Sequence, residues 1–284
     1  MQIQPEASGR ASLEVSLVFN QSTVTTAYAT SPMKVLTPRS RGPSVYAYVS
    51  NLGGGLVAGD QTRLDLQIGN GARCFVGTQA STKIYRNPGF LPCSHTTQAS
   101  LDPGALLVFA PAPVQPFKDS SYVQRQAFHL APEAGLVLLD WFTSGRRARG
   151  ERWAFAHFAT RNEVWQTMRC RDEPGEECTF LDSLILDPAD GALDSTYRSG
   201  RFNCFAMLLL TGALLEKPAL RLLEETNHLS VRRKASLLIS ASPVRNGAVL
   251  RVAGEELAEV ENHLKRCLGL LSDVFGEDPW SRRW

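Results

Sequence analysis

The stretch "LDPGALLVFAPA", which begins at Leu101, decides the fold because two related stretches flank it in the chain. They are "IGNGARCFVGTQ" from Ile68 and "LAPEAGLVLLDW" from Leu130. Each starts with an apolar residue, passes through a three-residue turn to an alanine, and ends in an apolar strand. The alanines, spaced by 33 and 29 residues, are Ala72, Ala105 and Ala134. Such units at a nearly regular spacing predict rungs stacked into a layered β body, with a β-sandwich of ordinary hairpins as the alternative.

Patterns outside these stretches favour strands first and helices later. "SLEVSLVFN" from Ser12 and "TRLDLQI" from Thr62 alternate apolar and polar residues, as strands with one buried face do. From Glu255 to Phe275 the apolar residues instead lie three or four positions apart, which predicts a helix. A second helix is predicted from Glu216 to His228.

We therefore predict a single domain over residues 1–284 that is mainly β. Its body is a layered, β-helix-like stack of strands with one or two helices near the C-terminus. In the second helix, Leu220, Leu223 and Asn227 are predicted to share one side.

The charge balance bears on partners and location. The chain has 30 Lys and Arg against 28 Asp and Glu, and a net charge of +2 offers no broad field for nucleic acid or an anionic membrane. The first residues lack the basic start and apolar run of a signal peptide. The longest apolar run, Cys204 to Leu215, is too short to span a bilayer. We expect a cytoplasmic protein with no membrane and no nucleic-acid partner.

The six cysteines include no Cys-x-x-Cys pair, and we expect reduced, mostly buried thiols. Cys93 and His95 form the only close thiol–imidazole pair, and no four-ligand zinc site can be assembled from the spacing. A transient surface site for a borderline metal such as nickel stays open.

The segment "NLGGGLVAGD", Asn51 to Asp60, holds four glycines and raises the question of a nucleotide site. A phosphate-binding glycine loop needs a helix after it, whereas an alternating strand follows here. The alternative is that Gly53, Gly55 and Gly59 permit positive φ or a close backbone approach where strands cross.

The segment "TQASTKIYR" is a second polar stretch. Its Ser81, Thr82 and Lys83 could suggest phosphate binding. They are more typical of a strand with hydroxyls on one face and Lys83 paired to a carboxylate, for which Asp60 is a candidate.

The segment "TSGRRARGERW", from Thr143, carries four arginines and Glu151. Guanidinium groups bind carboxylates and phosphates in bidentate geometry. The cluster is interpreted as an anchor for an acidic partner, as an internal ion-pair network around Asp140 and Glu151, or as a solvated loop.

Five segments together resemble one family. In chain order they are "PMKVLTPR", "NLGGGLVAGDQTRLDLQIGNGAR", "TQASTKIYR", "DWFTSGRRARGERW" and "PWSRRW". From about Ser31 to the last residue the chain resembles the urease accessory proteins called UreD or UreH. The resemblance implies a layered, largely β structure with C-terminal helices and no catalysis of its own.

The resemblance also implies a function and partners. Family members are nickel-insertion chaperones that bind apo-urease and accessory protein F, whose complex recruits the GTPase accessory protein G. Nickel is handled transiently and passes through a water-filled tunnel toward the urease active site, and no cofactor is bound tightly. The expected function is thus GTP-dependent nickel insertion during urease maturation. The alternatives are a nucleotide-dependent enzyme that uses Gly53–Asp60, or a β-solenoid interaction module with another client.

Individual residues follow from the resemblance by motif. Asp60 matches a family aspartate suited to a polar tunnel wall, and Glu151 matches the acid after the arginine cluster; both are candidates for transient nickel contact. The resemblance gives further candidates for the tunnel or for partner contacts, namely Ser81, Thr82, Lys83, Asp140, Arg146, Leu264, Leu268 and Trp280. The last three of these are assigned to accessory protein F.

Overall fold

The computed structural model describes residues 8–39, 42–87, 89, 91–168, 175–230 and 234–281. The strands are β1 (Gly9–Val18), β2 (Gln21–Ala29), β3 (Met33–Leu36), β4 (Val45–Asn51), β5 (Gly55–Leu56), β6 (Gln61–Ile68), β7 (Arg73–Thr78), β8 (Thr82–Ile84), β9 (Cys93–Leu101), β10 (Leu106–Phe109), β11 (Val114–Pro116), β12 (Ser121–Leu130), β13 (Gly135–Thr143), β14 (His157–Met168), β15 (Gly175–Leu186), β16 (Cys204–Thr211), β17 (Leu237–Val244) and β18 (Gly247–Gly254). The helices are α1 (Glu216–Asn227), α2 (Leu257–Gly269) and α3 (Ser272–Phe275).

The strands form a β-solenoid of about four turns, as the repeat predicts. One face is a seven-stranded sheet in the order β15-β14-β12-β9-β6-β1-β2. The facing sheet has eleven strands, with a main path β17-β18-β16-β13-β10-β7-β4-β3 and the short strands β5, β8 and β11 to one side. The stacked rungs pair in parallel, whereas β15 to β18 pair antiparallel at one end.

The three alanines of the repeat lie at the corner where each rung passes from one sheet to the other. Ala72, Ala105 and Ala134 are all buried. The amide of Leu106 donates to the carbonyl of Ala72 at 2.9 Å, and the amide of Gly135 donates to that of Ala105 at 2.8 Å. The corners therefore stack in register, and a small side chain at each one lets the two sheets close over a common core.

The helices cover the outer face of the eleven-stranded sheet. The predicted helix Glu216–His228 is confirmed as α1, but its buried face is Ala219 and Leu222, whereas Leu220 is exposed. The predicted helix from Glu255 to Phe275 is two helices, because the α-helical hydrogen bonding breaks at Leu270 and Leu271. None of the helices in the described ranges has the length and apolar character needed to cross a bilayer.

The glycine segment is a turn between strands. Gly53, Gly54 and Gly59 have φ values of 81°, 73° and 80°, a region that side-chain-bearing residues rarely adopt. A Cβ on Gly55 would lie 2.2 Å from the carbonyl oxygen of Lys83, so this glycine permits the β5–β8 pairing. Strand β6 follows the segment, so no helix N-terminus meets these glycines. The interpretation as positive φ and close approach is confirmed.

Replacing Gly55 by alanine is expected to lower the free energy of unfolding by about 1–3 kcal/mol, because the added methyl group overlaps the backbone of β8. Chemical denaturation measures this change. The matched control is Gly53→Asn, since a Cβ at Gly53 meets no atom within 4 Å and asparagine tolerates positive φ. Equal stability of the Gly55 variant and the wild type would show that β5 and β8 need not approach so closely.

Candidate functional site

Polar side chains cross the interior of the solenoid in two rows on the inner face of the seven-stranded sheet. The first row joins neighbouring strands in register through Thr62, His95, Gln124 and Thr160. The second row, one inward position along, contains Thr97, Gln126 and Asn162. Apolar side chains flank both rows toward either end of the strands. A polar band therefore runs along the solenoid axis through an otherwise apolar core.

Asp140 reaches this band from the facing sheet. One of its carboxylate oxygens accepts a hydrogen bond from Gln124 Nε2 at 3.0 Å, and the other accepts from Asn162 Nδ2 at 2.7 Å. Gln126 Nε2 donates to the amide oxygen of Asn162 at 2.8 Å, and the hydroxyl of Tyr122 donates to that of Gln124 at 3.0 Å. The five side chains form one network that fixes the carboxylate between the sheets.

Burial raises the pKa of Asp140 above the usual value of an aspartate. The hydrogen bonds from Asn162 and Gln124 oppose this shift, and the nearby charge of Asp182 adds to it. An ionised carboxylate at this position is costly without a counter-charge. A positive charge beside Asp140 would offset that cost.

Asp140 is a lining residue of two cavities. The narrower, of about 80 Å³, lies inside the solenoid and reaches the surface beside Gly54, Ser81 and Thr82. The wider, of about 680 Å³, lies between β15 and the β17–β18 hairpin, where Ile185 is exposed. The two cavities thus open at different surfaces of the protein and have one carboxylate, that of Asp140, in common.

Ion pairs bridge the sheets beside the wider cavity. Arg251 on β18 pairs with Asp182 on β15 at 2.8 Å, and Arg245 pairs with Glu177 at 2.7 Å. Neither β15 nor β17 pairs with another described strand on its outer edge. Only side chains therefore join the two sheets at this end.

Comparison with known proteins identifies the family. A sequence profile described as UreD urease accessory protein matches residues 7–284. The chain belongs to the UreD family. It is 40% identical over 278 residues to a protein named urease accessory protein UreD from Sorangium cellulosum (strain So ce56), covering 98% of this chain and 85% of that protein.

Similar UreD-family proteins come from distant organisms. A protein named urease accessory protein UreD from Anaeromyxobacter sp. (strain Fw109-5) is 34% identical, over 99% of this chain and 92% of its own length. The urease accessory protein D of Arabidopsis thaliana is 31% identical, over 94% of this chain and 98% of its own length. The resemblance of the five sequence segments to UreD is thereby confirmed.

Three of the residues that sequence reasoning assigns to a UreD tunnel lie at the cavities. Ser81 and Thr82 line the narrow cavity near its surface end, and Asp140 lines both cavities. Lys83 is exposed on β8 and, within the described residues, forms no ion pair, so the suggested pair with Asp60 does not form.

Asp60 and Glu151 lie outside the cavity walls. The carboxylate of Asp60 accepts the amide hydrogen of Val57 at 2.9 Å and so closes the turn before β6. Glu151 forms a bidentate ion pair with Arg146, which lowers the pKa of Glu151, and it also accepts the amide of Lys118 at 3.1 Å. Both carboxylates have local structural partners. The arginine cluster thus contains the expected ion pair around Glu151, but Asp140 takes no part in it.

The apolar residues assigned to contact accessory protein F are buried in this UreD-family chain. Leu264 and Leu268 are fully covered, and Trp280 is 7% exposed; all three pack against the eleven-stranded sheet. Their expected direct contact with a partner stays a prediction, and in this conformation the same apolar face holds α2 on the sheet. A partner of α2 would meet the opposite, polar face.

Sequence reasoning missed most of the polar band. Gln124, Gln126 and Asn162 occupy inward positions, where the strand alternation calls for apolar side chains. That violation of the pattern between Tyr122 and Phe128 is the signal that could have revealed them. In the described part of the chain no three His, Cys, Asp or Glu side chains are grouped to hold a metal ion.

The cysteines are free thiols where the structure describes them. Cys74, Cys93, Cys204 and Cys267 are buried and Cys178 is exposed, whereas Cys170 lies outside the described residues. Burial raises the pKa of Cys93, Cys204 and Cys267 to about 12. These thiols keep their protons at neutral pH, as expected for reduced, buried cysteines.

His95 gives the protein an acid-sensitive core. Burial lowers its pKa from 6.5 to about 4, and hydroxyls of Thr62 and Thr97 lie 2.8 Å and 3.1 Å from its two ring nitrogens. Below about pH 6.5 the imidazole of His95 binds a proton in the unfolded chain, whereas in the folded protein it stays neutral until about pH 4. Acidification therefore destabilises the native state.

Between pH 7 and pH 4 the contribution of His95 to this loss is expected to be roughly 3 kcal/mol. Urea denaturation at each pH measures it, and His95→Gln is expected to give a shallower dependence by that amount. His228→Gln, at an exposed histidine, is the matched control and is expected to retain the wild-type slope. An unchanged slope in the His95 variant would contradict the assignment.

Proposed function

We propose that this chain is a urease maturation chaperone that guides nickel to apo-urease and performs no catalysis of its own. It acts in a complex with accessory protein F and the GTPase accessory protein G, so that nucleotide hydrolysis takes place on a partner. The observation that carries the proposal is the polar band inside an apolar solenoid, together with two cavities that both have Asp140 in their walls. UreD family membership supports the same role.

The groups along the polar band suit transient passage of nickel more than tight binding. Along the band the groups offered to a cation are one carboxylate, the imidazole of His95, amide oxygens and threonine hydroxyls. A divalent ion prefers several charged or imidazole ligands for tight binding. The band supplies only one of each, and both ring nitrogens of His95 lie within hydrogen-bond distance of threonine hydroxyls, so nickel is held weakly and can move on when a stronger site is near.

The network around Asp140 also reduces the cost of a negative charge in the core. Two amide groups donate to the carboxylate at 3.0 Å and 2.7 Å and so replace part of its lost hydration. When nickel enters, its charge offsets the remaining cost. Entry of the cation and ionisation of Asp140 are therefore coupled.

The proposal is tested by producing apo-urease and its other accessory proteins in a host that has no urease, with and without this chain. We expect urease to contain nickel and to hydrolyse urea only when the chain is present. Metal analysis of purified urease gives the nickel content independently of activity. Equal nickel content in the two cultures would overturn the proposed function.

A further inference from the structure

The outer face of the seven-stranded sheet is uncovered and polar. In the described part of the chain all three helices pack on the other sheet. The outward positions of β1, β6, β9, β12 and β14 alternate with the buried ones and carry charged and hydroxyl side chains. The register of the strands therefore shows which of these outward side chains are neighbours on this surface.

Four arginines lie in one row across this face. Arg10 pairs in register with Arg63, Arg63 with Thr96, Thr96 with Arg125, and Arg125 with Arg161. Neighbouring strands lie about 4.8 Å apart, so the row is about 19 Å long from Arg10 to Arg161. Like charges on adjacent strands repel one another and destabilise the sheet.

The protein itself neutralises only half of the row. Arg63 pairs with Asp65 at 2.8 Å, and Arg161 pairs with Glu163, in each case two positions along the same strand. Arg10 and Arg125 are exposed and have no carboxylate partner among the described residues. Two unneutralised guanidinium groups therefore remain, each directly beside another arginine of the row.

We propose that this row, Arg10–Arg63–Arg125–Arg161, is a docking surface for an acidic face of a partner protein. Carboxylates spread along a line of about 19 Å would complete the pairing that the chain leaves open. Guanidinium forks bind carboxylates in fixed bidentate geometry, so the row gives orientation as well as attraction. Docking here leaves both cavity mouths free, because no residue of the row lines either cavity.

The neighbouring charges favour a protein over a nucleic acid. A second row beside the arginines places Asp65 and Glu163 one outward position away, and they would repel a continuous phosphate backbone. Trp165 stacks on His129 and donates to Glu163, so it offers no free platform for bases. The exposed Tyr28 on β2 lies beside the Arg10 end of the row only, so among the described residues no series of aromatic side chains accompanies the four arginines. A partner surface with separated carboxylates fits this alternation of charge.

The test is a titration of the full chain with a fluorescent polyglutamate peptide at low salt. We expect the wild type to bind, and Arg10→Glu with Arg125→Glu to weaken binding by roughly tenfold or more. The matched control reverses two exposed charges on α1, Lys217→Glu with Arg221→Glu, and is expected to bind as the wild type does. Asp65→Asn with Glu163→Gln frees the other two arginines and is expected to tighten binding.

Several results would overturn the docking surface. They are the absence of peptide binding by the wild type, equal weakening by the α1 control, or tighter binding of a single-stranded oligonucleotide of equal charge. A dimer of the chain that is lost only in the Arg10/Arg125 variant would assign the face to self-association and reject an acidic partner. Light scattering at low salt detects that outcome. Urease activation is measured separately, so failure here leaves the proposed nickel function untouched.

Discussion

Replacing Asp140 by asparagine is expected to reduce nickel loading of urease roughly tenfold or more while the chaperone stays folded. Asparagine keeps the size of the side chain but removes the negative charge of a residue that lines both cavities. Even at an effective dielectric constant of about 20, a unit charge near a divalent cation is worth several kcal/mol. Without it, nickel on the proposed route loses the one carboxylate that the two cavities share.

The measurement is the nickel content of urease purified from cells that produce the variant chaperone. Circular dichroism and a melting temperature within about 3 °C of the wild type establish that the fold is intact. Glu151→Gln is the matched control, because this carboxylate lies in a surface ion pair with Arg146 away from the cavities. Normal loading by the Asp140 variant would remove this residue from the nickel route.

Filling the narrow cavity should block loading without loss of stability. Ala112 is buried and is a lining residue of this narrow cavity of about 80 Å³, so a bulky ring at this position is expected to occupy much of its space. We expect Ala112→Phe to lower nickel loading roughly tenfold and to leave the melting temperature unchanged or higher, because a filled cavity gains apolar contacts. Metal analysis of urease and thermal unfolding of the chaperone report the two effects.

Ala112→Ser is the control for size, since it alters the same position without closing the space. It is expected to support at least half of the wild-type loading. If the phenylalanine variant loads urease normally, the ion travels by another route, whatever the Asp140 variant shows. If that variant instead unfolds, Ala112→Leu, with a smaller side chain, is expected to reduce loading in the same direction.

The sequence pattern predicts the fold well, because short-range features of the chain mark each rung of the solenoid. The alanine at each corner and the turn before it identify the rungs, and they stack as Ala72 and Ala105 show. The end of a helix is less predictable, because the break at Leu270 and Leu271 lies within an uninterrupted apolar periodicity. Similarly, Leu264 suits a partner interface or the protein's own sheet, and the sequence pattern is the same for both.

The interior site was predictable only in part. The carboxylate of Asp140 attracts notice in sequence because it interrupts the apolar strand "GLVLLDW". Its partners Gln124 and Asn162 come from two rungs that only the register brings together. At Asp60 a carboxylate beside a glycine run suggests a site, and the structure shows that this carboxylate caps a turn, a role that the sequence pattern does not reveal.

The protonation of the buried thiols bears on how tightly the protein would hold nickel. A thiolate would capture nickel firmly, but burial holds the pKa of Cys93, close to the polar band, at about 12, so its sulfur carries a proton at neutral pH. An ion moving past Tyr122 and Asp140 therefore meets no sulfur anion from this residue. Delivery can then depend on relative affinity for nickel, because the chaperone binds the ion less tightly than the urease site does and does not retain it.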